Sequence, residues 1–219
     1  MIPGIRFRRW CLALLLALST AVSAQANARP VVLVLGDSLS AEYGLPRDTG
    51  WVKLLADKLA APDREGARQY SVVNASISGE TTSGGRTRLP ALLDEHHPTI
   101  VIIELGGNDG LRGLPLRAMR DNLAAMVDAS SKAGARVLLI GLRIPPNYGR
   151  DYTEGFFASF ADVARDRKVA LVPFLLDGFA DNAALFQGDH IHPIQAAQGR
   201  MLDNVWPKLQ PLLDARGKR

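Results

Sequence analysis

The chain has 219 residues, 26 Lys and Arg against 22 Asp and Glu, and one cysteine. The excess charge of +4 sits at the front, where Arg6, Arg8 and Arg9 precede an apolar run over residues 11–18. Setting aside residues 1–28 removes those three arginines, no acid and the only cysteine, leaving +1; a basic stripe for nucleic acid and a disulfide frame are both excluded.

The basic start, the apolar run and the small residues Val22-Ser23-Ala24 and Ala26-Asn27-Ala28 read as a secretory signal peptide. The run is shorter than the ~20 residues a membrane span requires. The chain is therefore expected in the periplasm or the medium, with residues 29–219 as a single domain large enough for its own core. A near-neutral mature surface without an apolar stripe points to a monomer.

In chain order, continuous apolar runs fall at 31–35, 70–74, 100–105, 137–140 and 169–174. Unbroken rather than alternating, they read as strands buried on both faces of a parallel sheet. Between them come helix-period segments: Trp51, Leu54, Leu55 and Leu59; a weaker one near Leu89, Leu92 and Leu93; Leu116, Met119, Leu123 and Met126; Phe156, Phe160 and Val163. The last carries Leu202, Val205, Leu209 and Leu212, with a kink expected at Pro207. The fold class is α/β, a three-layer α/β/α domain on a five-stranded parallel sheet. The long connection from Leu176 to His192 is the one segment whose length asks for a functional reason.

The chemistry-bearing residues cluster at strand ends, where open parallel sheets bind ligands. Gly36-Asp37-Ser38-Leu39-Ser40 follows strand one. Asn74-Ala75-Ser76-Ile77-Ser78-Gly79 follows strand two, Gly106-Gly107-Asn108-Asp109-Gly110 follows strand three, and Asp189-His190-Ile191-His192-Pro193 ends the long connection. If the strand order is 2-1-3-4-5, Ser38 and Asn108 face each other across the crevice. Taken singly, each block has a plain structural use: Ser38 as a helix cap, Asn108-Asp109-Gly110 as a turn, Asp189 and His192 as a cap or surface pair. Taken together they form a mechanism. A serine is inert at neutral pH until a base removes its proton. His192 is that base, Asp189 three residues earlier orients the imidazole, and the Ser38 and Gly79 N–H groups with the Asn108 amide form an oxyanion hole.

At these four blocks the chain resembles the bacterial SGNH (GDSL-type) hydrolases, the letters being Ser38, Gly79, Asn108 and His192. The likeness extends through Val73–Gly79, Glu104–Gly113 and Pro146-Asn147-Tyr148-Gly149, over about residues 30–213. It implies a flavodoxin-like domain, a Ser38–His192–Asp189 triad, and hydrolysis of aryl esters, acyl thioesters and lysophospholipids through an acyl-enzyme, with no metal or organic cofactor. Glu80 and His190 depart from the usual pattern, and His190 leaves a choice of base that the spacing and Pro193 settle for His192.

Leu111 and Leu114 after Asn108, and Ile144, Pro145 and Tyr148 after strand four, are candidates to line an acyl pocket. Two other readings stay open here: a carbohydrate O-deacetylase of the same family, and a non-catalytic flavodoxin-like domain that binds a polar ligand at its strand ends. The expected partners are small ester or thioester substrates, with no nucleic acid and no stable membrane span.

Overall fold

Each apolar run is followed by enough helix-forming chain to return across one face, and strands joined that way lie parallel. The computed structural model describes residues 29–61 and 69–214; the signal-peptide reading of residues 1–28 lies outside them. The chain divides after Pro30, and the unit described here begins at Val31. Its elements are β1 (Val31–Gly36), α1 (Trp51–Ala60), β2 (Ser71–Asn74), α2 (Thr82–His96), β3 (Ile100–Glu104), α3 (Gly107–Leu111), α4 (Leu116–Lys132), β4 (Arg136–Ile140), α5 (Arg150–Arg167), β5 (Ala170–Val172) and α6 (Gln198–Asp214).

The sheet order is β2-β1-β3-β4-β5 and every neighbouring pair is parallel. This is the α/β/α architecture, with the strand order, expected from the sequence. Helices α2, α4 and α5 pack together on one face, and α1 and α6 pair on the other. The central strands carry the core: Val32, Leu33, Val34, Leu35 and Ile100 to Ile103 are wholly buried. The edge strands β2 and β5 are only partly covered.

Several element bounds differ from the sequence expectation, each for a local reason. The last strand is three residues long, because Pro173 has no N–H to continue a ladder. The weak segment near Leu89 is a 15-residue helix, entered through the Thr81 side chain, which accepts the Gly84 N–H, and closed by His97 in the left-handed region. Helix α6 runs from Gln198 to Asp214 with both Pro207 and Pro211 inside it. The Gly106–Gly110 block, which carries strong turn residues, opens the short helix α3.

Two contacts pin the end of the chain to its beginning. Gln198 at the start of α6 accepts the Trp51 backbone N–H at 3.0 Å, capping α1 from a distance. Tyr70 donates its hydroxyl to the Leu213 carbonyl at 2.8 Å. Among the described residues no helix is long and apolar enough to cross a membrane.

Because Leu33 lies in the central layer with no exposure, Leu33→Ala is expected to cost about 2–5 kcal/mol of stability. Urea unfolding checks this as a lower midpoint at unchanged slope. A loss under about 1 kcal/mol would mean the sheet is not the tight centre of the core.

Candidate active site

The first strand delivers Ser38 to the sheet's edge through a turn wound by Asp37. The Asp37 carbonyl accepts the N–H groups of Ser40 at 3.2 Å and Ala41 at 2.9 Å, and its Oδ1 accepts the Leu39 N–H at 3.0 Å. Ser38, between those anchors, faces the cavity described below.

The loop after β2 is tied to the same strand tip. Ile77 donates its N–H to the Gly36 carbonyl at 3.0 Å, and the Asn74 amide donates to the Ser40 carbonyl at 2.8 Å. Gly79 has φ +83, a backbone that side chains resist. Helix α3 supplies Asn108 and is fixed by its neighbour Asp109, whose carboxylate accepts the Thr82 N–H at 2.8 Å and the Thr82 hydroxyl at 2.5 Å. A buried acid thus caps α2 and sets the Asn108 loop against the Gly79 loop in one stroke.

The long connection folds back as a narrow hairpin. Phe186 bridges Pro193, Gln187 N–H donates to the His192 carbonyl at 2.8 Å, and His190 turns the chain with φ 57. The Gln187 side chain clips this hairpin to the segment after Ser38 by donating to the Tyr43 carbonyl at 2.8 Å. The Tyr43 ring lies 4.5 Å from the His192 ring, tilted by 40°.

These loops bring three of the sequence candidates into one chain of hydrogen bonds. His192 Nε2 is 2.8 Å from Ser38 Oγ, and His192 Nδ1 is 2.6 Å from Asp189 Oδ2. Asp189 Oδ1 accepts the N–H groups of Ile191 at 2.9 Å and His192 at 3.0 Å. Burial pushes the Asp189 carboxyl up, but those N–H groups and the imidazole outweigh it and hold the group at about 2. With Asp189 ionised and bound to Nδ1, the neutral ring carries its proton there and turns a bare Nε2 toward the hydroxyl. Of the two candidate histidines, His192 is the one in contact with Ser38; His190 lines the same cavity two residues away.

The three oxyanion candidates stand differently. The backbone N–H groups of Ser38 and Gly79 have no acceptor among the described residues. The Asn108 amide donates to Asp37 Oδ2 at 3.1 Å and to the Glu80 carbonyl at 3.0 Å, so both of its hydrogens have acceptors. Glu80 itself pairs with Arg88 at 2.7 Å. Burial raises the Asp37 carboxyl to about 6, against the Leu39 N–H, the charge of His192 and the Asn108 amide, all of which lower it.

A cavity of about 1030 Å³ opens from Ser38, Asn108 and His192. Of the sequence candidates for an acyl pocket, Leu111, Ile144 and Pro145 lie on its wall. Leu114 and Tyr148 are not part of it: Leu114 is exposed, and Tyr148 stands behind the wall with its hydroxyl on the Leu111 carbonyl at 2.8 Å. Apolar lining also comes from Leu39, Leu142, Pro146, Phe174, Leu176, Phe179, Ala180, Phe186 and Ile191, and polar lining from Asp177, Asp181 and Asn182. Phe174 ends the apolar run 169–174, and Phe179 and Phe186 lie in the long connection, whose length is the signal for them. Arg143, also on the wall, stacks over Phe157 at 3.7 Å. No group of three or more His, Cys, Asp and Glu suited to a metal occurs among the described residues.

Residues 34–200 match the GDSL-like lipase/acylhydrolase family. The sequence is 50% identical over 203 residues to esterase TesA of Pseudomonas aeruginosa, covering 93% of this chain and 96% of that protein. It is 41% identical over 190 residues to thioesterase 1/protease 1/lysophospholipase L1 of Escherichia coli strain K12, covering 87% and 88%. A solved structure of psychrotrophic esterase EstA from Pseudoalteromonas sp., inhibited by monoethylphosphonate, superimposes with a TM-score of 0.77 at 43% identity, over 84% of this chain and 99% of that one. The chain belongs to the GDSL-like lipase/acylhydrolase family and is a hydrolase.

Asp189→Asn is expected to lower kcat by up to about 10⁴-fold, because an amide does not hold the imidazole in the tautomer that accepts from serine. Its carboxyl, ordinarily at 3.8, is held at about 2 in the folded chain. The stability it supplies is therefore present above about pH 4 and lost as pH falls toward about 2. Acid melting curves should show the wild type losing ground to Asp189→Asn across that window. Parallel curves would mean the carboxylate is not held as described.

Proposed function

We propose that the protein hydrolyses carboxylic esters and thioesters through an acyl-enzyme on Ser38. The observation that carries this reading is the Ser38 Oγ–His192 Nε2 contact at 2.8 Å, continued to Asp189 at 2.6 Å. His192 takes the hydroxyl proton as Ser38 Oγ bonds to the acyl carbon, then gives it to the departing alcohol or thiol. Water then takes the leaving group's place: its oxygen bonds to the acyl carbon as His192 accepts its proton, and the proton passes to Ser38 Oγ as the acyl–Oγ bond breaks and the acid leaves. The Ser38 and Gly79 N–H groups, unspent in the resting structure, receive the developing oxyanion. Asn108 joins them by releasing one of its two internal acceptors, Asp37 or the Glu80 carbonyl. The chemistry uses water and these side chains, and assigns no step to a metal or organic cofactor.

The wall is mixed, with Asp177, Asp181 and Asn182 beside the apolar surface of Leu111, Ile144, Phe179 and Phe186; that apolar part accommodates an acyl chain, and on it the lipid-type acyl substrates rank above a carbohydrate O-deacetylase. Names among the relatives, esterase, arylesterase and thioesterase 1/protease 1/lysophospholipase L1, fit the same substrate range. Inhibition of the EstA relative by a phosphonate fits a serine nucleophile. The basic and apolar leader supports an extracytoplasmic location, with residues 29–219 as the single working domain and the monomer as its form.

Two measurements test this. A series of aryl esters and acyl-CoA thioesters should be hydrolysed by the wild type, and Ser38→Ala should lose at least about 10³-fold in kcat on all of them. Retained turnover in Ser38→Ala would contradict the reading. In the same series, Leu111→Ser and Ile144→Ser should lower kcat/KM for octanoyl esters several-fold more than for acetyl esters, each lost methylene contact counting for about 1 kcal/mol. Equal losses on both chains would remove these residues from the acyl wall.

A further inference from the structure

Beneath the nucleophile turn lies a carboxyl that the reaction just described does not use. Glu104 ends β3 in register with Gly36 and is wholly buried. Its Oε2 accepts the Asp37 backbone N–H at 3.2 Å and the Ser40 hydroxyl at 2.7 Å. Ser40 is also held from the far side by the Trp51 indole N–H, 3.2 Å from its Oγ. One oxygen of Glu104 thus grips the turn both before and after Ser38. A Cβ on Gly36 would stand 2.7 Å from that oxygen, so glycine at this position makes the room the carboxyl occupies. The other oxygen, Oε1, has no partner among the described residues.

A carboxylate in this place would leave a bare, buried charged oxygen, with the buried Asp37 beside it. Burial first, and the charge of Asp37 second, push the Glu104 carboxyl well above the usual carboxylate range, against hydrogen bonds from Ser40 and the Asp37 N–H. The other ionisable groups acting on the pair are His192 and Asp109, through Asp37. A neutral carboxyl accepts the same two hydrogen bonds through its carbonyl oxygen.

We infer that Glu104 is a positioning residue that works as a neutral acid, gripping the Asp37–Ser40 turn so that Ser38 meets His192 without setting a second negative charge behind the oxyanion hole. A fixed negative charge there would oppose the charge that develops on the substrate oxygen. This role rests on the proposed reaction at Ser38.

Glu104→Gln and Glu104→Ala separate grip from charge. The amide keeps an acceptor oxygen and carries no charge; alanine keeps neither. On an aryl ester near neutral pH, Glu104→Gln is expected to keep kcat within about threefold of wild type, while Glu104→Ala loses about 30-fold or more at a KM changed less than about threefold. If Glu104→Ala does not fold by circular dichroism, Ser40→Ala removes the 2.7 Å contact together with the Trp51 indole bond, keeps the Glu104 contact to the Asp37 N–H, and is expected to lower kcat at unchanged KM. Melting temperatures from about pH 5 to about pH 9 give a readout independent of turnover. The unfolded chain releases the Glu104 proton above about 4.5 while the folded chain retains it, so the wild type should fall steadily relative to Glu104→Gln as pH rises. The inference is overturned if Glu104→Gln is as impaired as Glu104→Ala, or if the wild-type and Glu104→Gln melting curves run parallel. A wild type inactive on every ester would overturn the reading of Ser38 instead, and the melting curves would still decide the charge of Glu104.

Discussion

Ser38 and His192 are separated by 154 residues and meet at 2.8 Å. That contact is the constraint the rest of the molecule serves. It requires two loops from opposite ends of the sequence to stop at the same edge of one sheet. A parallel sheet supplies this, because every strand ends on the same side and each return passes through a helix. The β2-β1-β3 order puts the loops after β1, β2 and β3 side by side. The last loop is brought in by its own anchors, Gln187 on the Tyr43 carbonyl and Gln198 on the Trp51 N–H.

Three carboxyls near the nucleophile are kept in different states by their surroundings. Asp189, partly exposed and fed by two backbone N–H groups, stays ionised and orients His192. Glu104, buried with one oxygen unpartnered, is pushed toward its neutral form. Asp37 lies between these extremes, near 6, with its oxygens committed to Leu39 and Asn108. Negative charge is therefore held at the rim and restrained behind the pocket, the distribution that the proposed reaction calls for: support for an imidazolium and no opposition to an oxyanion. The Asn108 amide belongs to the same balance, held by Asp37 Oδ2 and the Glu80 carbonyl; in the proposed reaction a substrate oxygen would compete for it.

Much of this was legible in the sequence because it depends on local signals. The buried strands β1 and β3 read as unbroken apolar runs, the blocks of Ser38, Gly79 and Asn108 follow such runs, and His192 closes the one connection of unusual length. What could not be read depends on partners far away in the chain. Glu104 sits within the apolar run 100–105 and looks like a strand terminus; its partners Asp37 and Ser40 come from a turn more than 60 residues earlier. Asp109 reads as a turn residue until Thr82 is found against it. The cavity wall extends beyond the Asn108 loop: Leu114 faces solvent, while Phe174 after β5 and Phe179 and Phe186 in the long connection close the space. Spacing alone does not tell a loop aromatic that fills a wall from one that anchors a turn.

The central claim is that one serine in this chain has been made a nucleophile by one imidazole. The direct measurement is reaction with a fluorophosphonate, followed by mass spectrometry of the labelled peptide. The account predicts a single adduct on Ser38, formed quickly by the wild type and at least about 100-fold more slowly by His192→Ala. An adduct on another residue, or equal labelling of Ser38 with and without the imidazole, would contradict it.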